Sequence, residues 1–225
     1  MKRIAMLCVI LTLLCSVTAC GANPPAATQG NTPAGITAPI VTDGAVATHV
    51  PQESEGKEAE TPKVLVAYFS CTGTTERLAT YVAEATGGEL YGIEPIEPYS
   101  AEDLDYTDAA SRANREQNDG NARPAIAGSV SHMENYDIIF IGYPIWHGKA
   151  PRIISTFLES YDFADKTIVP FCTSQSSGMG SSATDLHDLC AGTASWLAGE
   201  RFAAETSKEA VVAWLGGLGL EIPAR

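Results

Sequence analysis

Residues 63–86 read K-V-L-V-A-Y-F-S-C-T-G-T-T-E-R-L-A-T-Y-V-A-E-A-T, the most informative segment of the chain. Its first part is short, apolar and rich in Val and aromatic residues, which predicts a buried strand. Leu78, Val82 and Ala85 then recur at helical spacing, which predicts a helix with one buried face. A strand that leads into a helix in this way can bind a phosphate group, because the first helical N–H groups lack partners and the helix dipole favours an anion.

The connecting loop offers further groups to such an anion. Gly73 allows close approach of the backbone because it has no Cβ. The loop has neither the nucleotide motif G-x-x-x-x-G-K-[ST] nor the dinucleotide motif G-x-G-x-x-G. Four hydroxyls can add donors, and they belong to Ser70, Thr72, Thr74 and Thr75.

Three interpretations of this loop are open when it is taken alone. Residues 70–75 read S-C-T-G-T-T and look like the FMN-phosphate loop of flavodoxins. Cys71 and Arg77 have the spacing C-x5-R, which resembles the signature of low-molecular-weight tyrosine phosphatases, where a Cys thiolate is the nucleophile and an Arg holds the phosphoryl group. A Thr-rich turn without any ligand explains the loop equally well.

Strands and helices alternate through the rest of the chain. Residues 137–143, D-I-I-F-I-G-Y, are almost continuously apolar, as expected of a strand buried on both faces. Pro170 is an awkward residue within a central strand, because it cannot donate to a neighbouring strand. Five strands that alternate with helices imply an α/β fold with a parallel sheet covered on both faces. The other predicted strands are 89–93, 167–173 and 193–197, and the predicted helices are 107–118, 151–161, 181–190 and a final one capped by Thr206 and Glu209.

Two further loops follow the predicted strands. Residues 142–148 read G-Y-P-I-W-H-G, and residues 173–180 read T-S-Q-S-S-G-M-G. The carboxyl ends of parallel strands lie on one edge of a sheet, so the three loops should converge on one crevice. Trp146 offers a ring for stacking on a flavin, beside the backbone groups of residues 145–147. We expect the Gly-rich third loop to close over the edge of that ring.

Four blocks in this order resemble a flavodoxin-like family that is common in bacteria. They are A-Y-F-S-C-T-G-T-T-E-R, N-A-R-P, G-Y-P-I-W-H-G and P-F-C-T-S-Q-S-S-G-M-G-S-S, and the resemblance runs from about residue 63 to the end. It implies a doubly wound five-stranded parallel sheet of order 2-1-3-4-5 and non-covalently bound FMN. The residues that it assigns to FMN binding are Ser70, Thr72, Gly73, Thr74, Thr75, Pro144, Ile145, Trp146, His147, Thr173 and Gly178.

Two positions depart from that family pattern. Cys71 stands where a varied, often polar residue is expected, and His147 stands where a second Trp is expected. The first departure keeps a phosphatase that uses Cys71 and Arg77 as the alternative function. The phosphatase family also places a general acid in an Asp-Pro pair, and this sequence contains no Asp-Pro.

The amino-terminal residues predict export. Residues 1–19 have a charged start and an apolar core, and V-T-A-C at residues 17–20 resembles a bacterial lipoprotein signal with lipid on the sulfur of Cys20. Residues 20–61 are rich in Pro, Ala, Thr and Gly, which predicts a flexible tether. Residues 62–225 form the predicted domain. The chain is therefore expected to be lipid-anchored to the cell membrane.

The net charge is −13, which argues against a nucleic-acid partner. An acidic surround should disfavour anionic reduced flavin and lower its reduction potential. Three roles are open: an electron carrier, an NAD(P)H-dependent FMN oxidoreductase, or a flavin-binding module without turnover. The redox partner cannot be read from the sequence, and no metal-ligand spacing is found. The polar residues 99–135 form either a lid over the flavin, a partner surface or a solvated excursion.

Overall fold

The computed structural model describes residues 61–190 and 192–222. The predicted signal peptide 1–19, the lipid-bearing Cys20 and the predicted tether up to residue 60 lie outside the described residues. In the described part of the chain, no helix combines the length and the apolar character that crossing a membrane requires.

One parallel sheet organises the domain. Its strands follow the spatial order β2-β1-β5-β6-β7, and β8 also pairs with β6. The order confirms the predicted doubly wound sheet 2-1-3-4-5, with the fifth position shared by two short strands. A separate two-stranded antiparallel sheet pairs β3 with β4. The strands are β1 (Val64–Tyr68), β2 (Glu89–Gly92), β3 (Glu94–Pro95), β4 (Ile126–Ala127), β5 (Ile138–Pro144), β6 (Thr167–Thr173), β7 (Ser195–Trp196) and β8 (Glu200–Phe202).

Helices cover both faces of the sheet. The α-helices are α1 (Thr74–Thr86), α2 (Arg112–Asn118), α3 (Arg152–Glu159) and α4 (Lys208–Gly216), and short 3₁₀ helices span Met133–Asn135 and Thr184–Leu189. Alternate residues of β1 point to opposite faces, so Val64 and Val66 pack with α1 and α4, whereas Leu65 and Ala67 pack with α3. An apolar core therefore lies against each face of the sheet, which explains why β1 and β5 are buried almost throughout.

The fifth strand is interrupted opposite Pro170. The N–H of Thr167 bonds to Asp137 on the β5 side, whereas the carbonyl of Ile168 accepts from Leu197 on the other side. Successive residues of a strand direct their polar groups to alternate sides, so the nitrogen of Pro170 faces the fifth strand and cannot donate to it. Pairing stops there and resumes at β8, which is why the single strand predicted at 193–197 becomes two.

Three predicted helices are shorter in the structure, and the one predicted at 151–161 is α3 (Arg152–Glu159). The helix predicted at 107–118 begins only at Arg112, because the Ser111 side chain caps it by accepting from the Asn114 N–H at 3.4 Å. Upstream, the Asp105 carboxylate accepts from the Thr107 N–H at 2.8 Å, which forms a local turn instead of helix. The helix predicted at 181–190 is the 3₁₀ helix Thr184–Leu189.

Candidate functional site

A crevice of about 530 Å³ lies at the carboxyl ends of β1, β5 and β6. This volume is within the usual range for small-molecule sites, about 300–1,000 Å³. The three loops predicted to converge all contribute to it. Its lining residues are Ser70, Cys71, Thr72, Thr75, Leu104, Tyr106, Ala113, Pro144, Ile145, Trp146, His147, Thr173 and Gln175.

The first loop has the geometry of an anion cradle. Gly73 adopts φ 81°, the left-handed conformation that glycine accepts most readily, and its N–H donates to Ser70 Oγ at 3.1 Å. The first intrahelical bond of α1 runs from the Arg77 N–H to the Gly73 carbonyl at 3.0 Å. The N–H groups of residues 74–76 have no hydrogen-bond partner among the described residues. Three donors are therefore free at the positive end of a 13-residue helix.

A buried hydroxyl pair fixes this loop to the third one. Thr75 Oγ1 and Thr173 Oγ1 lie 2.8 Å apart, and the two residues are only 1% and 6% exposed. Both were predicted to bind FMN. Their mutual bond shows that they also join the start of α1, which follows β1, to the end of β6, and β1 and β6 are the two neighbours of β5 in the sheet.

Most backbone amides of the second loop already have partners within the protein. The Ile145 N–H donates to the Thr173 carbonyl at 2.9 Å, and the Trp146 N–H donates to the Lys149 carbonyl at 2.9 Å. His147 and Gly148 adopt φ 49° and 76°, so residues 146–149 form a tight turn whose two central residues are both left-handed. Of the backbone donors predicted for residues 145–147, only the His147 N–H has no partner among the described residues.

The ring of Trp146 is held in place by two other aromatic rings. Its centroid lies 5.5 Å from that of Phe69 and 5.3 Å from that of Tyr99, and both contacts are edge-to-face. The Trp146 carbonyl accepts from Gln117 Nε2 at 2.8 Å. The half-buried indole is thus fixed by the residue that follows β1 and by residues 99–135, the polar excursion, so it does not need to reorganise to meet a ligand.

The polar excursion is part of the site, which sequence reasoning left undecided. Leu104, Tyr106 and Ala113 line the crevice, together with Gln175 from the third loop. The first three were not predicted to line it, because the excursion has no motif and its approach to the sheet edge depends on contacts distant in sequence. Gln175 lies in the third loop, which was predicted to converge on the crevice, although this residue was not singled out. The only available signal was its length, since long loops in compact domains are often functional.

Three residues predicted to bind FMN are not among those that line the crevice: Gly73, Thr74 and Gly178. Gly73 and Thr74 lie at the start of α1 beside lining residues, where their backbone shapes the cradle. Gly178 is exposed, and the third loop turns back at the bond from the Ser177 N–H to Ser174 Oγ, at 2.9 Å. The assignment of all eleven residues to FMN stays a prediction.

The two residues of the phosphatase alternative do not form a phosphatase site. The guanidinium of Arg77 donates to the carbonyls of Ala204 and Thr206, near α4, instead of reaching into the first loop. Desolvation, followed by the carboxylate of Glu94, raises the pKa of the Cys71 thiol to about 12. A nucleophilic Cys needs a lowered pKa, and this one is shifted in the opposite direction.

Acidic groups lie near the first loop. Glu76 occupies the first turn of α1, and Glu94 follows the end of β2. Burial raises the pKa of Tyr68 to about 12, and the carboxylates of Glu76 and Glu94 add to the effect. Burial and a hydrogen bond to Glu116 raise the pKa of Tyr99 as well. These phenols stay protonated and neutral at physiological pH.

Comparison with known proteins gives consistent matches. The flavodoxin family matches residues 63–218. A protein assigned as a flavoprotein in Bacteroides uniformis is 44% identical, with a TM-score of 0.66, over 70% of this chain and 99% of that chain. Its counterpart from Bacteroides eggerthii is 45% identical, with a TM-score of 0.65, over 70% of this chain and 98% of that one.

A flavoprotein from Lactobacillus acidophilus, solved in complex with FMN, is more distant. It is 24% identical, with a TM-score of 0.48, over 63% of this chain and 93% of that chain. No curated protein matches this sequence significantly.

Proposed function

The chain belongs to the flavodoxin family, and on this premise we propose that it carries out flavin-dependent electron transfer at the outer face of the cell membrane. The cofactor is FMN, as in flavodoxins, bound at the carboxyl ends of the strands. When bound, FMN supplies the redox chemistry by accepting and releasing electrons. The protein's part is to bind, orient and tune it.

The observation that carries the proposal is the cradle at the start of α1. The free N–H groups of residues 74–76 open beside a crevice large enough for a cofactor. Ser70 and Thr72 line that crevice and can add hydroxyl donors. No cation is needed, because amides at a helix amino terminus bind phosphate by themselves. The turn that bears Trp146 and the His147 N–H would meet the isoalloxazine part of the cofactor.

The test compares FMN with riboflavin, which has the same ring system but no phosphate. Quenching of flavin fluorescence on addition of the purified full-length chain gives both dissociation constants. We expect FMN to bind at least about tenfold more tightly, which corresponds to about 1.4 kcal/mol from the phosphate contacts. Gly73→Ala should weaken FMN binding because φ 81° is strained for alanine, whereas the control Gly120→Ala, in open space at an ordinary φ, should not. Equal affinity for both flavins would contradict a phosphate cradle.

The redox role needs its own assay. A carrier needs only electron exchange with an external donor and acceptor, whereas a reductase also needs room for nicotinamide beside the flavin. Stopped-flow mixing of the FMN-loaded chain with NADH or NADPH separates the two roles. Rapid bleaching of the flavin absorbance would identify a reductase, and a flavin that only dithionite or a protein donor reduces would identify a carrier. A flavin that no reductant changes would contradict both roles.

The acidic residues near the first loop support a lowered reduction potential. The carboxylates of Glu76 and Glu94 disfavour the negative charge that a flavin gains on reduction. Both side chains are exposed, so salt should weaken this effect. We expect a midpoint potential below that of free FMN that rises in the variants Glu76→Gln and Glu94→Gln. A wild-type potential at or above that of free FMN would remove this part of the proposal.

Membrane attachment is proposed from the sequence alone, through V-T-A-C at residues 17–20 and a lipid on Cys20. Mass spectrometry of the mature amino terminus should find a lipid-modified residue 20, and Cys20→Ser should lose the lipid and leave the membrane fraction. A mature chain that begins elsewhere, or lacks the lipid, would contradict this attachment.

A further inference from the structure

The third loop cannot supply an aromatic ring to a bound flavin. Residues 174–195 contain no Phe, Tyr or Trp. The second loop supplies Trp146, next to the imidazole of His147. Among the residues that line the crevice, the only other aromatic side chain is Tyr106, which belongs to the polar excursion. Tyr106 is therefore the residue of the crevice that can cover the second face of a bound flavin ring.

Tyr106 and Trp146 differ in the contacts that their rings make with other aromatic rings. Trp146 already makes edge-to-face contacts with Phe69 and Tyr99. Among the residues that the structure describes, Tyr106 is the most exposed large hydrophobic residue, at 77%, and it makes no ring–ring contact. Its aromatic surface is free at the wall of a crevice. An exposed aromatic ring in that position gains the most from a planar ligand that covers it.

The backbone that carries Tyr106 is fixed before any ligand binds. The side-chain amide of Asn114 donates to three carbonyls of this segment, those of Asp105 at 3.4 Å, Tyr106 at 3.2 Å and Asp108 at 2.6 Å. Asn114 itself is only 5% exposed, so water does not compete strongly for these bonds. Binding to a preformed wall costs less ordering entropy than closing a mobile lid.

The same helix is joined to the loop that bears Trp146. Gln117, three residues after Asn114 on α2, donates to the Trp146 carbonyl at 2.8 Å and to the Ala150 carbonyl at 3.3 Å. At the other end of α2, the guanidinium of Arg112 lies 4.0 Å from the centre of the Tyr99 ring, which in turn contacts Trp146. Hydrogen bonds from α2 thus hold both the segment that carries Tyr106 and the loop that carries Trp146.

We propose that Tyr106 is the second aromatic contact of the isoalloxazine ring, and that residues 104–113 of the polar excursion, instead of the third loop, close the flavin site. The inference rests on the proposed function, because it requires that FMN occupies the crevice. Asn114 is the positioning residue that holds the backbone of Tyr106 in place. The excursion is accordingly a rigid wall of the cofactor site.

The test measures dissociation constants of both FMN and riboflavin for three variants. Tyr106→Leu removes the ring and keeps an apolar side chain, and it should raise both constants by the same factor, about 2- to 12-fold. Tyr106→Phe keeps the ring and should bind like the unaltered chain. Ile96→Ala, the control, alters an exposed apolar side chain that does not line the crevice and should change neither constant.

A second comparison tests the positioning role. Asn114→Ala should weaken flavin binding. The double variant Asn114→Ala/Tyr106→Leu should bind flavin no more weakly than Tyr106→Leu alone, because Asn114 acts on the flavin only by positioning Tyr106. A matching urea midpoint for Tyr106→Leu and the unaltered chain shows that folding is unaffected.

The outcomes separate the two claims. If the unaltered chain binds FMN and Tyr106→Leu binds both flavins equally well, Tyr106 does not contact the ring and the inference is overturned while the proposed function stands. A loss confined to FMN would assign Tyr106 to the phosphate end and also overturn it. If the unaltered chain binds no flavin, both fail.

Discussion

Replacing Thr173 by Val tests the hydroxyl pair that joins α1 to β6. The substitution removes one of two buried hydroxyls 2.8 Å apart and leaves Thr75 Oγ1 without that partner at a residue only 1% exposed. An unsatisfied buried donor or acceptor costs about 1–3 kcal/mol. With an m-value of about 2 kcal/mol/M, the urea midpoint of unfolding should fall by about 0.5–1.5 M. Equilibrium unfolding followed by Trp fluorescence measures this shift.

Two matched variants make the result specific. The double variant Thr75→Val/Thr173→Val removes both hydroxyls, so neither is left unpaired. Its urea midpoint of unfolding should therefore be closer to that of the unaltered chain than the midpoint of Thr173→Val is. Thr156→Val is the control, because Thr156 Oγ1 is buried without a hydrogen-bond partner among the described residues. Removing it should leave stability unchanged or slightly raise it.

The reasoning is refuted if Thr173→Val and Thr156→Val shift the midpoint equally, since the same chemical change would then act without regard to hydrogen bonding. It is also refuted if the losses from Thr75→Val and Thr173→Val simply add in the double variant. Strict additivity would mean that the two hydroxyls do not interact.

Three other predictions follow from the geometry. Gly142→Ala should lower the free energy of unfolding by about 1–3 kcal/mol or more in urea titrations, because its Cβ would lie 2.3 Å from Phe171 Cζ in the core; an unchanged midpoint would contradict this. Cys71, with its pKa raised from 9.0 to about 12, should react with iodoacetamide at pH 8 about 30- to 60-fold more slowly than an unperturbed thiol, because the smaller thiolate fraction outweighs the higher nucleophilicity of the more basic thiolate; the rate should rise as pH approaches 12, and a rate plateau near pH 9 would disprove the shift. Arg77→Met should lower stability by about 1–2 kcal/mol, since the charged donors to Ala204 and Thr206 are lost, yet leave the FMN dissociation constant within twofold. A large loss of FMN affinity would place Arg77 in the site after all.

Much of the fold could be predicted because its determinants are local. The strand in residues 63–70 and the helix after Thr75 are visible as a change from a continuous apolar run to helical spacing. Parallel strands must end on one edge, so the convergence of the three loops followed from the order of elements. Eight of the eleven residues predicted for FMN line the crevice for that reason.

Other features could not be predicted because they depend on partners distant in the chain. Whether the Ile145 N–H is free for a ligand depends on the Thr173 carbonyl, 28 residues away. The excursion became a wall of the crevice through Gln117, which bonds to the carbonyl of Trp146. Composition reveals that such a segment is polar and long, but it does not reveal which edge of the sheet it approaches.

The class of fold, the order of its elements and the position of the strand-to-helix turn at residues 70–75 follow from the sequence, because burial periodicity and helix termini are properties of neighbouring residues. Three features are visible only in the folded chain: Pro170 divides the fifth strand, Arg77 points away from the cradle, and Tyr106 stands at the wall of the crevice. In each case the outcome depends on which groups of the folded chain come within a few ångströms of one another, and no local pattern encodes those distances.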